Sequence, residues 1–129
     1  MEFAYEIRTE KSVDEAVAAV REKLAELKFS VLWELNVNQT LQSKGFDLEP
    51  EVRILEVCSA PKAKRAFDTD PRIAYLLPCK IVVKRAEGQT TIGLTRPEAL
   101  IGLMGDGRFG DLAREVEAEL TRAVEAAAR

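Results

Sequence analysis

Phe3, Tyr5 and Ile7 alternate with Glu2, Glu6 and Arg8 at the start of the chain. A period of two is that of a strand with one face buried. The period then changes. Ser12 stands at capping-box spacing from Glu15, and Val13, Ala16, Val17, Val20, Leu24 and Leu27 recur at helical intervals, which predicts an amphipathic helix over Ser12–Lys28. Phe29, Val31, Trp33, Leu35 and Val37 restore the alternation opposite Ser30, Glu34 and Asn36. That predicts a second strand with Trp33 in the core.

Asn38 to Lys44 reads as a short helical turn stopped by Gly45, which suits a left-handed cap. Phe46 to Pro50 is a loop. Val52 to Val57 is a third strand, and Ser59 caps a helix that starts at Ala60-Pro61, with Ala63, Ala66 and Phe67 on its inner side. Asp70-Pro71 begins a further turn through Ile73, Ala74, Leu76 and Leu77, ended by Pro78. Lys80 to Lys84 and Thr90 to Thr95 are strands four and five, an antiparallel hairpin about Glu87-Gly88-Gln89. Arg96-Pro97 breaks the ladder. Ile101 to Gly110, rich in glycine and including Met104 and Asp106, reads as a mobile connection. Leu112, Ala113, Val116, Leu120, Ala123, Val124 and Ala127 then define a closing helix over Phe109–Ala128.

The order is β-α-β-β-β-β-α with a small helical insert. Two long amphipathic helices beside one antiparallel sheet give an α+β fold of two layers, helices on one sheet face. Nothing divides residues 1–129, which read as a single domain.

Composition narrows the function. The chain has 129 residues, 47% hydrophobic and 32% charged, a globular balance. A net charge of −3 argues against a nucleic-acid binder, which needs clustered cations. Lys62, Lys64 and Arg65, with Lys80, Lys84 and Arg85 further on, are the nearest to such a cluster, and they read as a solvated face among acidic helices. No apolar run is long enough to span a membrane. Met1 to Glu6 lacks the basic start of a signal peptide, so the expected location is cytoplasmic, with reduced thiols. The chain has no histidine, which removes histidine-based nucleophiles and imidazole ligands. Glu115, Glu117 and Glu119 point in different directions on their helix and read as solvated. The glycine-rich connection lacks the context of a phosphate loop, and Arg96 and Arg108 near it are candidates for an anionic ligand.

Cys58 ends the third strand and Cys79 opens the fourth. If these strands are antiparallel neighbours, both thiols lie at the same end of the sheet. A helix N-terminus and the cations of Lys62, Lys64 and Arg65 favour the Cys58 thiolate. Two such thiolates suit Cu(I) or another soft metal, or a dithiol–disulfide cycle. The alternative is that each is a small buried hydrophobe.

Ile54-Leu55-Glu56-Val57-Cys58, Asp70-Pro71-Arg72-Ile73 and Leu76-Leu77-Pro78-Cys79, with Asn38 to Gly45, the hairpin and Pro97-Glu98-Ala99-Leu100, resemble the bacterial and archaeal domain-of-unknown-function family 302 (DUF302). Cys58-Ser59-Ala60 departs from the family's Cys-Asn-Pro, a mild change because serine also caps helices. The resemblance implies a sheet with helices on one side, of TATA-binding-protein-like outline, and a homodimer. It implies no established activity, only an association of members with sulfur or metal handling in the cytoplasm. The open sheet face, with Leu32, Val82 and Ile54 or Leu55, is the expected dimer surface.

Three functions follow from this reading. One is a non-enzymatic homodimeric domain that binds a small ligand or soft metal near Cys58 and Cys79. Another is a thiol-based redox or sulfur-carrier protein using the same residues. The last is a structural or interaction module without chemistry.

Overall fold

A computed structural model of the chain describes residues 2–105 and 107–129. Strand β1 (Ala4–Thr9) leads into helix α1 (Val13–Glu26), then β2 (Ser30–Asn36), α2 (Val37–Gln42), β3 (Glu51–Cys58) and α3 (Ala60–Thr69). A 3-10 turn (Pro71–Tyr75) precedes the hairpin of β4 (Cys79–Ala86) and β5 (Gln89–Thr95). Helix α4 (Pro97–Gly102), a 3-10 turn (Gly107–Phe109) and α5 (Gly110–Ala128) complete it.

Among the described residues the strands form one sheet in the order β1-β5-β4-β3-β2, every neighbouring pair antiparallel. The first two strands in sequence are therefore opposite edges, and α1 crosses the sheet between them. Leu55, Val57, Ile81, Val83, Ile92 and Leu94 on the inner face are buried against Val20 and Leu24 of α1 and Leu120 and Val124 of α5. Each such side chain contributes about 1.5–3 kcal/mol by leaving water. No described helix is long and apolar enough to cross a membrane.

The α1 capping box is present in both directions. Ser12 Oγ accepts from the Glu15 N–H at 3.1 Å, and the Glu15 carboxylate accepts from the Ser12 N–H at 2.9 Å. The helix ends with Lys28 at φ 63 and a hydrogen bond from Phe29 N to Leu24 O, which turns the chain back into β2. Glu87 and Gly88, at φ 53 and 76, supply the two positive dihedrals of a tight hairpin whose twist matches its strands.

β2 differs from the expected pattern. Val31 pairs with Val57 but Trp33 with Glu56, leaving Leu32 as an extra residue. This bulge shifts the alternation by one. Trp33 and Leu35 consequently join Glu56 and Ile54 on the open face, and Trp33 is half exposed rather than core. Glu34 turns to the helix side, where Arg21 meets it at 2.8 Å and Arg53 at 3.3 Å. Val37 starts α2 instead of ending the strand.

The connection after β5 is also more structured than its glycines suggest. Proline at the start of α4 fits a position whose N–H needs no partner. Ile101 and Met104 pack on the core, and Phe109 is fully buried. Asp106 lies outside the described residues. Of the expected open-face residues, Ile54 and Val82 pair across that face, whereas Leu55 is fully buried on the inner side.

Candidate functional site

The register of β3 and β4 sets Val57 opposite Cys79. Cys58 follows one residue later, so the thiols share one end of the sheet, with Cys79 on the inner face beside Val57 and Cys58 directed away from that face by the alternation of the strand. Both are free. From this end α3 departs at Ser59, the 3-10 turn brings the chain back, and α4 and the first turns of α5 close over the top.

A cavity of about 240 Å³ lies among these elements. Phe29, Val57, Ile73, Leu77, Leu112 and Val116 are among its walls, and Cys58, Cys79, Ser59 and Lys62 bring the polar atoms. Its origin is visible in α3, whose inward residues Ala63 and Ala66 are too small to fill the space between that helix and α5. Leu32, displaced by the β2 bulge, and Phe67 line the cavity while remaining exposed. They form an apolar mouth.

The electrostatics differ from the expected thiolate. Burial pushes the Cys58 thiol up. Cys79 is pushed up to about 11, chiefly by burial, then by Cys58, with Lys80 pulling weakly the other way. The cations of α3 do not serve Cys58. Lys62 Nζ is 3.0 Å from Glu119 Oε1, Lys64 is held by Asp68 at 2.6 Å, and Arg65 meets Glu115 at 3.1 Å. Ser59 makes no side-chain capping bond to α3. Near neutral pH both groups are therefore thiols, and any reaction through them begins with loss of a proton to solvent that leaves a thiolate against an apolar wall.

Neither of the two arginines proposed for an anion is among the residues that line the cavity, and each is held by a different carboxylate. Arg96 donates to Glu117 at 2.9 Å and to the Glu2 carbonyl at 3.2 Å, and Glu117 also accepts from the Glu98 N–H that opens α4. Arg108 donates to Asp70 at 3.1 Å and to the Thr69 carbonyl at 3.2 Å. Arg72 forms several hydrogen bonds to the same carboxylate, which together hold Asp70 down at about 2. Among the described residues, no group of three or more cysteine, aspartate or glutamate side chains is placed to hold a metal. Of sulfur atoms, the cavity lining carries those of Cys58 and Cys79.

Sequence reasoning located the cysteines but missed Lys62 as a lining residue and the contribution of Leu112 and Val116. The available signal was the pair of alanines on the inner side of α3, where a packed helix would carry larger residues.

The chain matches the family model described as domain of unknown function DUF302 over residues 5–127. Among solved structures it is similar to the crystal structure of an uncharacterized conserved DUF302 protein from Bacillus stearothermophilus. That likeness has 32% identity, covers all of both chains and has a TM-score of 0.96. No curated protein matches it.

Proposed function

The chain belongs to the DUF302 family, and on that premise we propose that it is a non-enzymatic, homodimeric binding domain that takes a small apolar ligand into the cavity beside Cys58 and Cys79. One observation carries the reading, namely an apolar cavity with a solvent-facing apolar mouth and a few polar atoms gathered at one end. That combination is typical of small-molecule sites, although about 240 Å³ falls just below their common range of about 300–1,000 Å³. A small ligand is therefore favoured. Its affinity comes from apolar surface removed from water on both sides.

Titration with the neutral fluorescent probe N-phenyl-1-naphthylamine tests this directly. Saturable fluorescence enhancement, lost when the cavity is filled, supports it. No enhancement at any probe concentration below its solubility overturns it.

A thiol-based reading retains one specific support: both cysteines line the same cavity. Cu(I), which accepts two soft sulfur donors, would have to displace both protons. Competitive Cu(I) titration of the protein and of Cys58→Ser separates this from ligand uptake, since apolar binding survives the substitution.

We place the homodimer contact on the open sheet face, where Ile54 and Val82 lie between the cross-strand ion pairs Glu56–Lys80 and Glu6–Lys84, and Trp33 and Leu35 extend the apolar surface to the β2 edge. The net charge of −3 supports no nucleic-acid partner, and free thiols suit the reducing cytoplasm.

A further inference from the structure

We propose that the ligand of this cavity is a neutral lipophile carrying one hydrogen-bond-accepting oxygen, as in a ketone, ester or alcohol, and not a fatty acid or an amine. The inference rests on the reading of the cavity as a ligand site and adds the chemistry that site selects.

Lys62 is the charged residue among the lining side chains. Its ammonium is already met by Glu119 Oε1 at 3.0 Å, and both side chains are about four-fifths buried. The pair is neutral as a unit. An entering carboxylate gains Lys62 but faces Glu119 directly behind it, and an entering ammonium faces Lys62 first. Either would bring a further charge out of water without a free counter-charge, which is costly. A neutral molecule leaves the pair intact.

The geometry of the pair also leaves something for the ligand. Glu119 Oε1 is buried yet accepts no aligned hydrogen bond, so its approach to Lys62 is a contact of charges. An ammonium has three N–H donors, and a ligand oxygen beside Lys62 accepts one of them. The rest of the lining offers two thiols, which are weak donors, one serine and hydrocarbon. An apolar cavity of about 150 Å³ holds benzene. The space here, about 240 Å³, accordingly holds about two fused rings or a chain of about eight carbons, and a longer probe such as N-phenyl-1-naphthylamine leaves its third ring in the apolar mouth.

Calorimetric titration of the intact protein at neutral pH with 2-octanone, octanoate and octylamine tests the proposal. We expect 2-octanone to bind at least about ten-fold more tightly than either charged analogue. Equal or tighter binding of octanoate or octylamine overturns it. If N-phenyl-1-naphthylamine binds and 2-octanone does not, the cavity reading stands and this inference falls; if neither binds, both fall. Two variants examine the pair itself. Glu119→Gln, nearly isosteric, should shift the preference toward octanoate over 2-octanone by about ten-fold, because the lysine charge is now unopposed. Lys62→Met should weaken 2-octanone by about five- to ten-fold, the worth of one hydrogen bond. An unaltered ligand preference in Glu119→Gln, or unaltered 2-octanone affinity in a folded Lys62→Met, overturns the role assigned to the pair.

Discussion

Asp70 joins three pieces of chain through one carboxylate. It caps the 3-10 turn by accepting from the Arg72 N–H, binds the Arg72 guanidinium, and holds Arg108 ahead of α5. Hydrogen bonding from Arg72 is the main reason its pKa falls from 3.8 to about 2. A carboxylate with a depressed folded pKa stabilises the fold above its unfolded value, and this contribution is lost as pH falls from about 4 through about 2. Urea midpoints measured across that window should drop more steeply for the native protein than for Asp70→Asn, and parallel curves would refute the assignment. The thiols carry the opposite sign. Cys79 is neutral in the fold up to about 11 against an ordinary 9.0, so its stabilising effect is present below 9.0 and lost as pH rises through 11. Iodoacetamide should label both native cysteines more slowly than a free thiol at mildly alkaline pH, and Cys58, the less buried, ahead of Cys79. Rapid labelling of either at neutral pH would restore the thiolate. The position of these cysteines was legible, because strand ends leave a mark in the sequence. Their chemistry was not, because it depends on what buries them and on which acids occupy Lys62, Lys64 and Arg65.

At the scale of elements, the long helices were readable because periodicity and a capping box agree over many residues, as they do from Ser12 through Leu24. Strand β2 was misread at one point. A bulge is a backbone event, and nothing in Val31-Leu32-Trp33 marks which residue is the extra one. It exchanged the faces of Trp33 and Glu34. Helix α4 was missed for a related reason, since the glycines that follow it outweighed the apolar Leu100, Ile101 and Met104. Helix α3 is where the cavity originates and where it can be closed. Ala63→Leu should fill part of the space, keep or raise stability by about 0.5–2 kcal/mol, and abolish binding of N-phenyl-1-naphthylamine. A variant that is folded, more stable and still binds the probe would locate the ligand elsewhere.

For the whole molecule, the decisive feature is a sheet covered by helices on one face alone. Its other face has an apolar centre to which Trp33 adds a half-exposed ring. Replacing a single exposed residue there changes the stability of one subunit by only about 0.5 kcal/mol, whereas the dimer contact proposed for this face would depend on that residue. Trp33→Lys should therefore give a monomer by light scattering with nearly unchanged thermal unfolding of the subunit. A native protein already monomeric at micromolar concentration, or a variant that remains dimeric, would remove this face from the assembly. The layer arrangement was legible from the sequence because five strand patterns and two long amphipathic helices admit few other packings. The edge assignment was not, since pairing partners far apart along the chain leave no local signature.

That edge assignment governs how the molecule comes into being. Ala4 pairs with Thr95 and Thr9 with Thr90, so β1 has no neighbour in the sheet until β5 has been made. The hairpin of β4 and β5 closes a short loop, while seating β1 closes one that spans most of the chain, at a greater entropic cost. A nascent chain thus carries its opening segment, Phe3 and Tyr5 included, as an unpaired passenger until β5 arrives. In pulse-labelled refolding, the amides of β4 and β5 should gain protection before those of β1.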